Sequence, residues 1–168
     1  PPHSPFFPAR GARRGKNRRL PQVTELPIPR HIAAPPEKVW DAMVNRQEEW
    51  WCPAPWHAKI DLQERRAGGV CNMTFYGPDG EVMPQEGIYL AYDEGHRFVT
   101  TDAVKADFQP SGPFMIGLWE IDPDGDGTRY TATARHWTEE TMKQHEEMGF
   151  AEGWGACADQ LKALCEEG

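Results

Sequence analysis

Residues 138–166 read TEETMKQHEEMGFAEGWGACADQLKALCE, twenty-nine residues without a proline. Thr138 is the expected N-cap, and Glu139 and Glu140 place negative charge in a first turn where the helix dipole favours it. Phe150, Trp154, Cys157, Leu161 and Leu164 recur at the i, i+4, i+7 spacing of one helical face. One uninterrupted helix of this length would run about 40 Å, the width of a small domain. Gly149, Gly153 and Gly155 sit in its middle, and each costs about 1 kcal/mol against alanine inside a helix. A close approach to a sheet or to a ligand is the compensation expected. Leu161 to Leu164 should be plain core.

Upstream of the helix lie six strand-like runs, in the order 56–63, 70–76, 81–92, 97–103, 114–121 and 128–137. Turn signals separate them: Ala67-Gly68-Gly69, Gly77-Pro78-Asp79-Gly80, Asp93-Glu94-Gly95, a looser loop with Pro110, Ser111, Gly112 and Pro113, and the aspartate-rich Asp122 to Gly127. Short turns between successive strands predict an antiparallel meander. Before it, Glu37 to Val44 and Gln47 to Trp51 read as two short helices, the first opened by Pro35-Pro36. Val23 to Ile32 reads as a strand, and Pro27 and Pro29 assign it to a sheet edge, since proline cannot donate to a central ladder. The expected architecture is α+β: strand, two short helices, six-stranded meander, long C-terminal helix across a curved sheet.

Residues 1–22 carry six of the chain's eighteen basic residues and no acid, which leaves twelve bases against twenty-six acids from Val23 on, a net charge of −14. The basic segment is rich in proline and arginine and is expected to be a disordered tail, with residues 23–168 as a single domain. An acidic body argues against nucleic-acid binding. No apolar run approaches the ~18 residues of a membrane span, and no apolar region follows the basic residues to make a secretory signal. Cys52, Cys71, Cys157 and Cys165 show no CxxC or metal-finger spacing. Reduced thiols in a cytoplasmic protein, with no cofactor and no metal, are the expectation.

The order of elements and a set of motifs together resemble a known superfamily. The motifs are Ala34-Pro35-Pro36-Glu37-Lys38-Val39-Trp40, Trp50-Trp51-Cys52-Pro53, Asp61-Leu62 with Gly68-Gly69, Gly77-Pro78-Asp79-Gly80 and Gly87-Ile88-Tyr89-Leu90. Arg97 to Asp102, Gly127 to Ala132, and His145 to Phe150 with Gly153-Trp154 complete them. They resemble the helix-grip fold of the START-like, or SRPBCC, superfamily, in the branch of heat-shock-protein ATPase activator homologues and polyketide-cyclase-like proteins. The resemblance implies a hydrophobic cavity between sheet and long helix, and an apolar small molecule as partner. A cyclase- or hydrolase-type enzyme in the same cavity, or a co-chaperone-like interaction module, are the alternatives. The eukaryotic chaperone activators of this branch carry an additional N-terminal domain that this sequence does not match. Self-association into a homodimer is left open.

The ligand-binding residues expected on this basis are Trp40, Trp51, Met73, Phe75, Tyr89, Phe114, Trp119, His145, Gly149, Phe150, Gly153 and Trp154. Apolar pockets with a few polar groups are the usual ligand sites. Strand alternation gives Cys71, Met73 and Phe75 one face, taken as inward, and Val70, Thr74 and Tyr76 the other; a slip of one residue would reverse this. His145 is the candidate for an acid or base, because imidazole titrates near neutrality. His136 lies nine residues before it, and Glu86 or Glu146 could be a partner carboxylate. Two metal readings fail on spacing. Asp122 to Gly127 starts like a calcium loop, but Thr133 stands where the bidentate glutamate belongs. His145-Glu146-Glu147 lacks a second histidine four residues on, where Gly149 stands.

Overall fold

The structure, a computed structural model, describes residues 24–112 and 114–167. The expected basic tail, residues 1–22, lies outside the described residues. Strand β1 (Thr24–Ile32) is followed by helices α1 (Pro36–Asn45) and α2 (Gln47–Trp50), then strands β2 (His57–Gln63), β3 (Cys71–Tyr76), β4 (Val82–Gln85), β5 (Ile88–Asp93) and β6 (Arg97–Thr101). A small hairpin, β7 (Val104–Lys105) and β8 (Gln109–Pro110), precedes the long strands β9 (Ile116–Asp124) and β10 (Gly127–His136). Helices α3 (Glu139–Glu147) and α4 (Phe150–Glu166) end the chain.

The main sheet has the order β1-β10-β9-β6-β5 and is antiparallel throughout. Strand β1 is its edge, as Pro27 and Pro29 require. A three-stranded sheet, β2-β3-β4, continues the surface. It is sewn to β5 where Tyr89 N–H donates to Gly69 O (2.9 Å), Gly68 N–H to Tyr89 O (2.8 Å) and Cys71 N–H to Gly87 O (2.9 Å). The α+β architecture with helices across a curved antiparallel sheet is therefore the one adopted. The meander is not continuous, however. The run 81–92 is two strands, β4 beside β3 and β5 beside β6, divided at Glu86-Gly87. A Cβ on Gly87 would lie 2.4 Å from Thr101 O, so only glycine lets the chain cross this closely from one sheet to the other.

The C-terminal helix also differs from expectation. It is broken at Met148-Gly149 into α3 and α4. Gly149 has φ +92°, the left-handed region that favours glycine. Its N–H caps α3 on Glu146 O (3.0 Å), while its carbonyl accepts from Gly153 N–H (2.9 Å) and opens α4. Gly149 thus ends one helix and starts the next, and α4 spans about 25 Å rather than 40. Thr138 caps α3 as expected: its Oγ1 accepts from Thr141 N–H at 3.1 Å, and Thr141 Oγ1 accepts in return from Thr138 N–H.

Helix α4 lies over β1 and β10 and against α1 and α2. Beneath it are the small, fully buried Ala132 and Ala134; Cys157, Ala158, Leu161 and Cys165 face the same core. Gly155 belongs to this packing, since a Cβ there would come within 3.2 Å of the Arg30 guanidinium. The core leaves polar groups unpaired among the described residues, and the most deeply buried of them is on Tyr130. Tyr130 is fully buried, edge-on to Trp50 at 6.2 Å, and its hydroxyl has no partner among the described residues. Leaving a buried hydroxyl unpaired costs about 1–3 kcal/mol. Tyr130→Phe is therefore expected to stabilise the fold by about 1 kcal/mol or more, read as a higher urea midpoint with an unchanged slope. A loss of stability would mean that the hydroxyl is paired.

Candidate functional site

Between the two sheets and the helices lies a cavity of about 440 Å³. Strand β3 contributes Cys71, Met73 and Phe75 to its wall, the face that alternation assigns inward. Strand β6 contributes Phe98 and Thr100, and β9 contributes Trp119. Trp51 and Trp154 close it from the helical side, with His145 and Met148 where α3 ends. A polar margin of Gln47, Gln85, Glu86, Thr101 and Asp102 completes it.

The aromatic wall is a stack. Trp119 lies between Phe98 (5.2 Å, 22°) and Trp154 (5.3 Å, 20°), and Trp51 meets both tryptophans edge-on at 5.3 and 5.2 Å. Two devices hold it. Gly117 lies two residues before Trp119 on the same strand face, and a Cβ there would collide with the indole at 2.5 Å. Trp51 is fixed through its loop by Gln160 of α4. The Gln160 amide donates to Trp50 O (2.9 Å) and Cys52 O (3.0 Å), and its carbonyl accepts from Ala54 N–H (2.9 Å).

The β6–β9 connection is clamped as well. Asp102 Oδ1 accepts from Phe114 N–H (3.1 Å) and Met115 N–H (3.2 Å), which brings both side chains to the cavity. Phe114 O in turn receives the Nδ1–H of His136 at 3.0 Å. The other nitrogen of His136, Nε2, lies 2.9 Å from His145 Nδ1. Both histidines are buried, and His145 is further ringed by Phe114, Phe150 and Trp154 at centroid distances of 4.9, 4.9 and 5.9 Å. Burial, with the neighbouring His136 adding to it, pushes the His145 imidazolium down to a pKa of about 4.

A side chamber of about 250 Å³ lies beyond Trp51, Phe75 and Trp154, lined also by Cys52, Trp56, Met83, Gly153 and Cys157. Cys52 N–H points to Cys157 Sγ at 3.3 Å, and burial raises the Cys157 thiol to a pKa of about 12. All four cysteines are free thiols. No cluster of three or more metal-ligating side chains occurs among the described residues. The aspartate-rich segment is the β9–β10 hairpin turn.

Of the residues singled out in the sequence, the structure brings Trp51, Met73, Phe75, Phe114, Trp119, His145 and Trp154 together on the cavity wall. The other five lie elsewhere. Trp40 packs against Tyr92 and Phe98 and donates its indole N–H to Glu94 (2.8 Å), beside a separate surface depression. Tyr89 is buried between Tyr92 and Phe98. Phe150 backs His145 and Trp154 from outside the wall. Gly149 is the helix break, and Gly153 borders the side chamber. The helix glycines therefore do not hollow out the main cavity: one breaks the helix, one admits Arg30, one faces the chamber. Sequence reasoning missed Phe98 and Thr100, which alternation along β6 could have supplied. It also missed Gln47, Gln85, Asp102, Met115 and Met148, which sit at element ends without a period.

A sequence-family profile described as "Activator of Hsp90 ATPase homolog 1-like protein" matches residues 33–166. A crystal structure from Nitrosomonas europaea is 35% identical, covers 83% of this chain and 92% of its own, and superposes with a TM-score of 0.75. One from Mycobacterium smegmatis is 28% identical over 86% of this chain and 91% of its own, with a TM-score of 0.72. The AHSA1 protein of Silicibacter pomeroyi, 19% identical over 84% of this chain and 96% of its own, shares the fold at a TM-score of 0.63. No curated protein is similar enough in sequence to count as a match.

Proposed function

We propose that this chain, which belongs to the Activator of Hsp90 ATPase homolog 1-like family, binds an apolar small molecule in the cavity between its curved sheet and its C-terminal helices. The observation that carries the reading is the cavity itself. Its 440 Å³ falls within the roughly 300–1,000 Å³ of small-molecule sites, and its wall is aromatic and thioether with a polar margin. Stacked indoles give an apolar ligand a large, preformed contact surface. No described helix is long and apolar enough to cross a membrane.

Fluorescence titration with the apolar dye N-phenyl-1-naphthylamine tests this. One saturable site is expected. Thr100→Trp, which fills the lumen from β6, should weaken uptake by at least about tenfold while the fold is kept. Met73→Trp fills it from the opposite strand, should Thr100→Trp fold poorly. Unchanged dye binding in a folded variant would place the dye elsewhere and overturn the reading.

A cyclase- or hydrolase-type enzyme in the same cavity is the second reading. It draws on the buried His136–His145 pair, an orienting group behind an imidazole, as general bases require. Loss of turnover in His145→Ala, with retained affinity for a probe that has no hydrogen-bond donor, would favour it. The co-chaperone-like reading needs no cavity and predicts a protein partner in a pull-down.

A further inference from the structure

Carbonyl oxygens only accept hydrogen bonds, so the contact of His136 Nδ1 with Phe114 O requires a proton on that nitrogen. In a neutral imidazole the other nitrogen, Nε2, is then an acceptor. Its partner at 2.9 Å is His145 Nδ1, which must therefore be the donor. With Nδ1 of His145 protonated, Nε2 of a neutral His145 carries a bare lone pair. The backbone at Phe114 thus sets the tautomer of a ring two hydrogen bonds away.

The neutral form of His145 follows from its setting. Both rings are buried and the aromatic rings of Phe114, Phe150 and Trp154 enclose His145, so a charge here is poorly solvated. The low pKa of His145 agrees with this. His145 Nε2 has no hydrogen-bond partner among the described residues. Nor is it sealed from solvent like the unpaired Trp119 Nε1, Tyr92 hydroxyl and Tyr130 hydroxyl. His145 lines the cavity, where its lone pair joins an aromatic and thioether wall bounded by the polar margin of Gln47, Gln85, Glu86, Thr101 and Asp102.

We infer that the cavity selects apolar molecules carrying a neutral O–H or N–H donor, such as an alcohol or a phenol, which bonds to His145 Nε2, and disfavours ligands that offer only an acceptor there. This rests on the proposed cavity binding and adds the ligand's chemical class to it. A buried lone pair left facing a ligand without a donor loses the water it could otherwise hold, so the discrimination works against the wrong ligand as well as for the right one.

Displacement of N-phenyl-1-naphthylamine by three molecules of nearly one shape tests it: 2-naphthol (donor), 2-methylnaphthalene (neither) and 2-methoxynaphthalene (acceptor only). At neutral pH 2-naphthol is expected to bind about five- to tenfold more tightly than 2-methylnaphthalene, with 2-methoxynaphthalene weakest. The preference for 2-naphthol should vanish in His145→Phe. Should that variant fold poorly, ¹⁵N NMR of the wild-type rings reads the tautomer directly, with a bare Nε2 and a protonated Nδ1 on His145 expected. Dye displacement with equal affinities, or a protonated His145 Nε2 in the NMR, would overturn the inference and leave the cavity reading standing. Failure of the dye itself to bind would overturn both.

Discussion

Trp154→Ala is expected to destabilise the protein by about 3–5 kcal/mol and to end uptake of the apolar dye. The indole is 8% exposed and is the shared partition of the main cavity and the side chamber. It stacks on Trp119 at 5.3 Å, takes the edge of Trp51 at 5.2 Å, and touches Phe150 at 4.8 Å and His145 at 5.9 Å. Truncation to alanine removes these contacts together and joins two voids that the surrounding sheet cannot close. The stack then loses its outer plate, so Trp119 and Trp51 lose their fixed positions as well. Trp137→Ala is the control: that side chain is 53% exposed, and its loss should change stability by no more than about 0.5 kcal/mol. Urea denaturation of both variants provides the comparison. A cost below about 1 kcal/mol for Trp154→Ala would show that the stack does not organise this side of the fold.

The second large effect is a pH dependence centred on His145. Its folded pKa of about 4 lies below the ordinary 6.5 that it regains on unfolding. As pH falls through this interval the unfolded chain takes up the proton first, so acid favours unfolding. The stability at stake is fully present above about pH 6.5 and is lost progressively down to about pH 4, below which the native state is protonated too. At 1.36 kcal/mol per unit this amounts to about 3 kcal/mol. The other titratable groups at this end are His136 itself and, on the cavity wall, Glu86 and Asp102, the last already held by two backbone N–H groups. His145→Phe should start from a lower stability, since His136 Nε2 loses its donor, but it should lack this component of the acid slope. Denaturant unfolding of the wild type and the variant at pH 7, 5.5 and 4 reads the difference. Parallel slopes would mean that His145 is not held neutral by its surroundings.

How far the sequence reached depends on the kind of signal. Periodicity places Met73 and Phe75 on the inward face of β3, because side chains alternate strictly along a strand. Prolines 27 and 29 assign β1 to an edge, because a missing N–H is incompatible with two neighbours. Glycine is less legible. Gly149 and Gly155 both count as helix interruptions on paper, yet one adopts a left-handed φ and the other makes room for Arg30. A propensity scale sees the same cost in each. Trp40 and Trp154 are equally aromatic, equally helical and both in the core, and only their neighbours bring Trp154 and not Trp40 to the cavity wall.

The sequence by itself determined the α+β class, the succession of a strand, two short helices, a run of strands and a C-terminal helical segment, the family and the inward face of β3, since each rests on local spacing or on motifs read in order. The tertiary structure alone decided that the last helix is two, that the meander crosses between sheets at Gly87, and that His136 and His145 meet. The reason is range. Spacing along the chain reports which face a residue shares, whereas a helix break or a hydrogen bond between two rings depends on what other segments place against them. The bare nitrogen of His145 is the furthest consequence, because it is set by a backbone carbonyl at Phe114, thirty-one residues upstream.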